Sequence, residues 1–419
     1  MALPRVLAGF DRCVWVGSGT GDAAHRQGRQ EKTGRTGATR GDDNEIGREP
    51  SGVCGTRCGE AGHRWYRLEA RILGRRITMT SVDVLRALFA GHFGSPPTRA
   101  EELSNELGGS ARRMVRLSNE CGTALGVLYG VRGENAAFIE FSKHFRCHGL
   151  PVPEIYAADL DRGAYLEEDL GDTTLFGFLG EHRSGGSLDP EVMSVYRDVS
   201  RTLPRFQVDA GRDLDYGVCY PRASFDRQSI AWDLNYFKYC FLRPAGVPFD
   251  EQALEDDFGR LTDFLLGADR DYFLYRDFQA RNIMLRDGRP FFIDYQGGRR
   301  GALQYDIASL VYDAKANLPP AVRDELLEVY LDALGGVIAL DRTRFMEHYY
   351  GYAYVRILQA MGAYGLLGLT RRKKIFLESV PYALGNIGWL MRNVELPVWT
   401  PMLMEVFQRM IDSETLDQP

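Results

Sequence analysis

Three residues in one short stretch, "YRDFQARNIMLRDGRPFFIDYQGG" at 275–298, have types and spacing suited to chemistry. Asp277 is followed by Asn282, and Asp294 ends the next apolar run. Phosphoryl transfer uses such a set. One carboxylate orients the acceptor hydroxyl and accepts its proton, while an Asn oxygen and a second carboxylate hold the magnesium that bridges the phosphates. Arg281, inside the loop, has two readings: contact with a γ-phosphate, or a structural pairing. The stretch predicts its own scaffold. "DYFLY" is a short strand, "RDFQARN" a polar loop, "IML" a second strand, "DG" at 287–288 a hairpin turn, and "PFFID" the return strand. "YQGG" reads as a flexible exit. A loop and a strand end would then bring the three polar side chains to one edge.

The rest of the chain must position that edge. At 419 residues it suits two lobes, and a hydrophobic fraction of 44% fills a large core. The net charge of −6 gives no global attraction to nucleic acid or to an anionic membrane, so neither is expected as a partner. Seven cysteines without a regular framework point to a reducing, cytoplasmic compartment, and no apolar run approaches the roughly 20 residues that span a bilayer. Residues 1–78 are Gly- and Arg-rich without helical or strand period, and read as a disordered or over-extended leader. A metal knuckle from Cys54, Cys58 and His63 has poor spacing for zinc and no evident fourth ligand. From Met79 patterning begins at once, with Val84, Leu85, Leu88 and Phe89 on one helical face.

Strand-like alternation follows at 112–118 and 121–131, then a helix up to Gly149, then two short strands around Asp161-Arg162-Gly163. After about residue 172 long helical segments dominate, near 190–208, 226–242, 250–267, 319–332, 341–365 and 372–391. Strands first and helices second predict an α+β chain in two lobes: a small, mostly β lobe over 79–171 and a larger helical lobe over 172–419.

With these elements in view, "YRDFQARN" resembles the catalytic loop of the aminoglycoside phosphotransferase and choline kinase family, where His usually stands at the place of Tyr275. "IDYQGGRRGALQYDIASLVYD" is similar to the family's metal-binding segment and the helix after it. "GLPVPEIYAADLDRGAYLEEDLGDTTL" at 149–175 and "YVRILQAMGAYGLLGLTRRKKIFLESVPYAL" at 354–384 look like the bacterial cell-wall amino-sugar kinases, which phosphorylate the anomeric hydroxyl of N-acetylmuramate and N-acetylglucosamine. The resemblance covers most of 100–390. It implies a two-lobed protein-kinase-like fold, ATP and Mg2+ as cofactors, Asp277 as the catalytic carboxylate, and Asn282 and Asp294 as metal ligands.

The first lobe is expected to hold ATP. Gly108, Gly109 and Ser110 form a small-residue turn whose amides can approach phosphates, with Arg112 or Arg113 adding charge. By resemblance "YLEEDLG" is the hinge, and adenine meets the backbone of Glu168 to Leu170. One departure stands out. The strand "TALGVLYGV" lacks the Lys that kinases pair with a helix Glu. Glu134 is the first counterpart of that Glu and Glu140 the second, and Arg112, Arg113 or Arg132 remain to meet phosphate. The missing Lys leaves a nucleotide-binding pseudokinase as an alternative, beside kinases of other small alcohols such as an aminoglycoside, choline or homoserine.

The acceptor is expected in the helical lobe. In "FDRQSIAWDLNYF", Asp226, Trp232, Asp233 and Tyr236 lie off the apolar stripe and offer carboxylates and aromatic faces to a sugar. Asp306 reads as an N-cap or a brace for the catalytic loop. His92, His144, His148 and His348 are scattered and suggest no metal set.

Overall fold

The structure is a computed structural model and describes residues 82–104, 111–184, 187–413 and 416. The expectations for residues 1–78, and for Gly108, Gly109 and Ser110, lie outside the described residues.

Helix α1 (Val82–Phe93) leads into a five-stranded antiparallel sheet of order β1-β2-β3-β5-β4. Its strands are β1 (Arg99–Leu103), β2 (Arg113–Asn119), β3 (Gly122–Leu128), β4 (Ile155–Asp159) and β5 (Ala164–Glu168). The period-2 alternation of a strand gives the sheet two apolar faces. Val115, Leu117, Ala124, Leu128 and Leu166 meet Leu85 and Phe89 of α1. On the other face Met114, Leu125, Val127 and Tyr165 join the main core with α2 (Arg132–Cys147). Phe138, Phe141 and Phe145 of α2 recur at helical spacing and are buried there. Gly163 takes φ +64 in the β4–β5 turn, and a Cβ there would strike the Tyr129 carbonyl. Strand β1 was not foreseen. Its sequence, "RAEEL", carries three charged residues, as suits an exposed edge.

The helical part begins with α3 (Leu175–Glu181), a two-residue ladder of β6 (Arg183–Ser184) with β7 (Ser187–Leu188), α4 (Pro190–Pro204), α5 (Arg227–Phe237) and α6 (Glu251–Leu265). Then come β8 (Tyr272–Leu274), β9 (Ile283–Arg286), β10 (Arg289–Phe292) and β11 (Arg299–Gly301). The chain ends in α7 (Gln304–Val311), α8 (Pro320–Gly335), α9 (Arg342–Tyr364), α10 (Val380–Asn393) and α11 (Pro401–Ile411). Helix α9 is buried on nearly all sides from Tyr349 to Tyr364 and packs on α5 and α7. Wider π-turns extend α4, α5 and α9 at 205–210, 238–242 and 365–370. The helix expected over 372–391 starts later, at Val380 with Pro381 in its first turn, after a tighter 3-10 segment. The α+β, two-lobed organisation expected from the sequence is the one observed. No helix among the described residues is long and apolar enough to cross a membrane.

Two small ladders frame the candidate loop. β8 pairs with β11, and β9 pairs with β10 in the register Ile283↔Phe292 to Arg286↔Arg289. Asp287 and Gly288 both take positive φ, 53 and 72, which is the twist a two-residue hairpin turn requires. The loop 275–282 thus joins β8 to β9, and Asp294 follows β10.

Candidate active site

The hairpin register brings the loop and the strand end together. Asn282 precedes β9 and Ile293 follows β10, and the Ile293 N–H donates to the Asn282 carbonyl at 3.0 Å. The Asn282 side-chain N–H in turn donates to the Asp277 carbonyl at 2.9 Å. Asp277, Asn282 and Asp294 therefore lie within one hydrogen-bonded unit, all three buried. Two oxygens in it have no hydrogen-bond partner: Asn282 Oδ1 and Asp294 Oδ2. Buried oxygens left unpaired are costly, and both are the hard donors a divalent cation such as magnesium takes. The other Asp294 oxygen accepts from Gln296 Nε2 at 2.9 Å.

The loop is strained and then restrained. Arg276 (φ 83) and Asp294 (φ 73) occupy the left-handed region, at a cost of order 1–3 kcal/mol each. Asp306, in the first turn of α7, accepts the backbone N–H groups of Tyr275 (2.8 Å) and Arg276 (3.0 Å). It braces the loop and does not cap its own helix, whose N-cap is Leu303. Gln207 donates to Asp306 at 3.0 Å and is itself held by the Tyr330 hydroxyl at 2.7 Å. Burial pushes the Asp306 carboxyl up to about 6 against these donors. The Arg276 guanidinium forms a two-pronged pair with Asp233 of α5 at 2.5 and 2.7 Å.

Tyr275, where the resembling family usually carries His, ties the two loops together. Its hydroxyl donates to the Ile293 carbonyl at 2.7 Å, next to Asp294. Tyr295 then joins α2 through a 2.6 Å hydrogen bond with Ser142 and by stacking on Phe138. The expected flexible exit "YQGG" is instead held at its start, with Tyr295 and Gln296 buried and bonded.

The three arginines proposed for phosphate contact are separated by the structure. Arg112 points inward, donates to Glu134 of α2 at 3.1 Å and reaches Asp294 at 3.4 Å. Arg113 lies outward and pairs with Glu102 of β1 at 2.9 and 3.0 Å. Arg132 is exposed and pairs with Asp161. Of the two helix carboxylates Glu134 is buried, while Glu140 is exposed and pairs with Lys143. The strand end expected to form the hinge is tied into its surroundings. The Glu168 N–H is already donated to the Glu154 carbonyl at 2.8 Å, and its carboxylate pairs with Arg286. Leu170 packs with Met284 and Ile293 in a small apolar cluster of its own.

The residues expected to meet the acceptor are tied into structure. Asp226 is the N-cap of α5, accepts from the Ser229 N–H at 3.0 Å and pairs with Arg222. Trp232 is half-buried under the Arg222 guanidinium. Asp233 is taken by Arg276, and Tyr236 packs against Gly362 of α9. Arg281 lies over the ring of Phe176, 4.4 Å from its centroid. His144 and His148, one turn apart on α2, do come together with Asp213, which the i,i+4 spacing allowed. One His144 ring nitrogen already engages the Ala210 carbonyl at 2.7 Å.

Residues 130–346, more than half of the chain, match the model of the phosphotransferase enzyme family. The N-acetylmuramate/N-acetylglucosamine kinase of Caulobacter vibrioides is 25% identical over 257 residues, 59% of this chain and 68% of that protein. Proteins of the same name from Pseudomonas aeruginosa and Neisseria meningitidis serogroup B are 26% and 27% identical, over 41% and 39% of this chain and 47% and 46% of their own length. The chain thus spans about two thirds of the first of these relatives and under half of the other two. Among solved structures, a choline kinase from Cryptosporidium parvum Iowa II has a TM-score of 0.50 at 11% identity, covering 71% of this chain and 95% of that one. A Plasmodium vivax ethanolamine kinase has a TM-score of 0.50 at 13% identity, covering 69% and 81%. These structural likenesses bear on the fold, which they share, and the sequence match bears on the chemistry: the chain belongs to the phosphotransferase enzyme family.

Proposed function

We propose that the protein transfers the γ-phosphoryl group of ATP to a sugar hydroxyl, with an N-acetylated amino sugar as acceptor and its anomeric hydroxyl as the reacting group. The observation that carries this reading is the pair of unpartnered oxygens, Asn282 Oδ1 and Asp294 Oδ2, on the same braced unit as Asp277. The names of the sequence relatives supply the acceptor.

In this reading Asn282 and Asp294 would hold magnesium, which would supply positive charge against the phosphates. Asp277 orients the acceptor hydroxyl and accepts its proton late in a largely dissociative transfer. The braced loop keeps that carboxylate in place, and positioning is where most of the rate gain arises. Arg112, held by Glu134 and already beside Asp294, takes over the phosphate contact of the missing strand Lys. Adenine rests on Leu170, Met284 and Ile293 and meets the backbone past Glu168. Residues 79–171 then form the nucleotide-holding lobe and 172–419 the lobe holding catalytic loop and acceptor.

The pseudokinase alternative drew its support from the missing Lys. Arg112 weakens it, because a buried cation between a helix carboxylate and Asp294 fills the same electrostatic role. Incubating the full-length protein with ATP, magnesium and a panel of sugars, aminoglycosides and choline, followed by mass spectrometry, tests both readings. The expected product is a sugar phosphate that is acid-labile, as an anomeric phosphate is. Turnover of an aminoglycoside or choline alone would overturn the acceptor, and ATP binding without any turnover would overturn the enzyme.

A further inference from the structure

Away from the catalytic loop, the end of α2 meets the segment that follows α4. His144 stands in the last turn of α2 and His148 at its C-cap, so the two rings lie on one face, with centroids 4.6 Å apart. Asp213 comes just after the π-turn 205–210. Its Oδ1 lies 3.1 Å from His148 Nε2 and 3.6 Å from His144 Nε2. One nitrogen from each ring and one carboxylate oxygen therefore converge, all within 4.8 Å of one another. The Asp213 side chain is 65% exposed, and both rings reach the surface, so an ion can enter without unfolding the chain.

The donor set and its dimensions select the kind of ion. Zinc holds imidazole and carboxylate at about 2.0–2.1 Å, which in a tetrahedron sets ligand atoms about 3.4 Å apart. The two distances to Asp213 fall on either side of that value. Two neutral imidazoles and one carboxylate suit zinc and its transition-metal neighbours, whereas magnesium takes oxygens such as those of Asn282 and Asp294. An ordinary ion pair needs one histidine. Here two rings share a single oxygen, and if both were protonated they would repel each other at this separation. The 2.7 Å contact of His144 Nε2 with the Ala210 carbonyl uses a proton on Nε2. With a metal on Nε2 the neutral ring carries that proton on Nδ1 instead, and the Ala210 contact gives way.

We propose that His144, His148 and Asp213 form a second metal site, for a divalent transition-metal cation such as zinc, with water in the fourth position. The ion would fasten two supports of the loop at 275–294. Helix α2 carries Glu134, which holds Arg112 beside Asp294. The π-turn before Asp213 carries Gln207, which donates to Asp306. Arg205 already links the same two segments by donating to the carbonyls of His148 and Gly149 at 3.2 and 3.4 Å. The site does not depend on the identity of the acceptor.

The test compares the full-length wild type with His148→Ala and Asp213→Asn, in excess magnesium so that oxygen sites are filled. Equilibrium dialysis against zinc, followed by metal analysis, should leave the wild type with about one more zinc per chain than either variant. Zinc at a hundredfold excess over its dissociation constant should raise the melting temperature of the wild type by about 2–4 °C and leave the variants unmoved. Cobalt in place of zinc should give a wild-type-minus-variant spectrum with the visible bands of a tetrahedral ion and no sulfur charge-transfer band, which separates this site from any cysteine ligation. Melts in chelator check the fold of both variants, and Asp213→Asn, at an exposed position, carries the comparison if His148→Ala does not fold. Equal zinc retention in wild type and variants, a zinc-induced rise in melting temperature that survives the substitutions, or a sulfur band in the difference spectrum would each overturn the site and leave an ordinary hydrogen-bonded histidine–aspartate pair.

Discussion

Two parts of the helical half carry buried or half-buried carboxylates, and they treat them in opposite ways. On α5, Asp233 is fully engaged by Arg276, and Asp226 caps its own helix while pairing with Arg222. In the loop and hairpin from 275 to 294, Asn282 Oδ1 and Asp294 Oδ2 are left without a partner although burial makes that costly. Residue type does not separate the two regions, since both offer Asp, Asn and aromatic side chains. What separates them is saturation. A side chain whose acceptors are already filled has nothing left to offer a ligand, and one whose acceptors stay open can still take one.

Substitutions can break this contrast, and the largest effect is expected at Asp294. Asp294→Asn removes the charged oxygen beside Asn282 while keeping the bulk. Turnover should fall on the order of 10³-fold, as the several kcal/mol a metal supplies are lost at about 1.36 kcal/mol per decade. Melting temperature should hardly change. The measurement is steady-state turnover against magnesium concentration beside a thermal melt, and a variant with normal turnover would place the metal elsewhere.

Asp233→Ala should behave in the opposite sense. It leaves Arg276 as a buried cation without its two-pronged partner, which costs about 3–5 kcal/mol of stability. Denaturant unfolding should show that loss directly. Any fall in turnover should affect all acceptors equally, because Arg276 acts through the position of the loop. A selective rise in KM for one sugar, with stability intact, would return α5 to the acceptor site.

The smallest effect concerns pH. Burial raises the Asp306 carboxyl from its ordinary 3.8 to about 6, so the folded chain holds that proton more tightly than the unfolded chain does. Its contribution to stability is therefore greatest at low pH and is lost as pH rises from 3.8 to about 6. Loop geometry runs the other way, because the ionised form is the better acceptor for the N–H groups of Tyr275, Arg276 and Gln207. Turnover should decline as pH falls through about 6, by up to about tenfold per pH unit. Asp306→Asn should be slower throughout, with that acidic limb flattened. A wild-type profile flat down to pH 5 would remove Asp306 from the account.

The hairpin and the closeness of its polar residues were legible in the sequence because their signals are local. "DG" at 287–288 sets the turn, the turn sets the register, and the register places Asn282 beside Ile293 and so near Asp294. The paired strands and α2 with Glu134 also followed from short-range pattern, whereas which of Arg112, Arg113 and Arg132 turns inward appeared only in the structure. What was not legible depends on distant partners. Nothing around Asp233 announces Arg276, 43 residues on. Arg356 reads as one polar position in a long apolar helix until α7 and the loop are folded against it. Strand β1 escaped because an exposed edge needs no apolar alternation. The expected sugar-facing aspartates were chosen by residue type and helical face, and neither reports whether a carboxylate is already occupied.

The hydroxyl of Tyr275 has a consequence for how the loops stay fastened. An imidazole at that position would gain or lose a proton near pH 6.5, so its grip on the neighbouring carbonyl would vary across the range in which cells live. Burial, reinforced by the charges of Tyr295, Asp294, Asp306 and Asp277, drives the ionisation of Tyr275 well above 10. The phenol therefore remains a neutral donor to Ile293 through acid and mild alkali alike. The clasp between the two loops is thus indifferent to acidity.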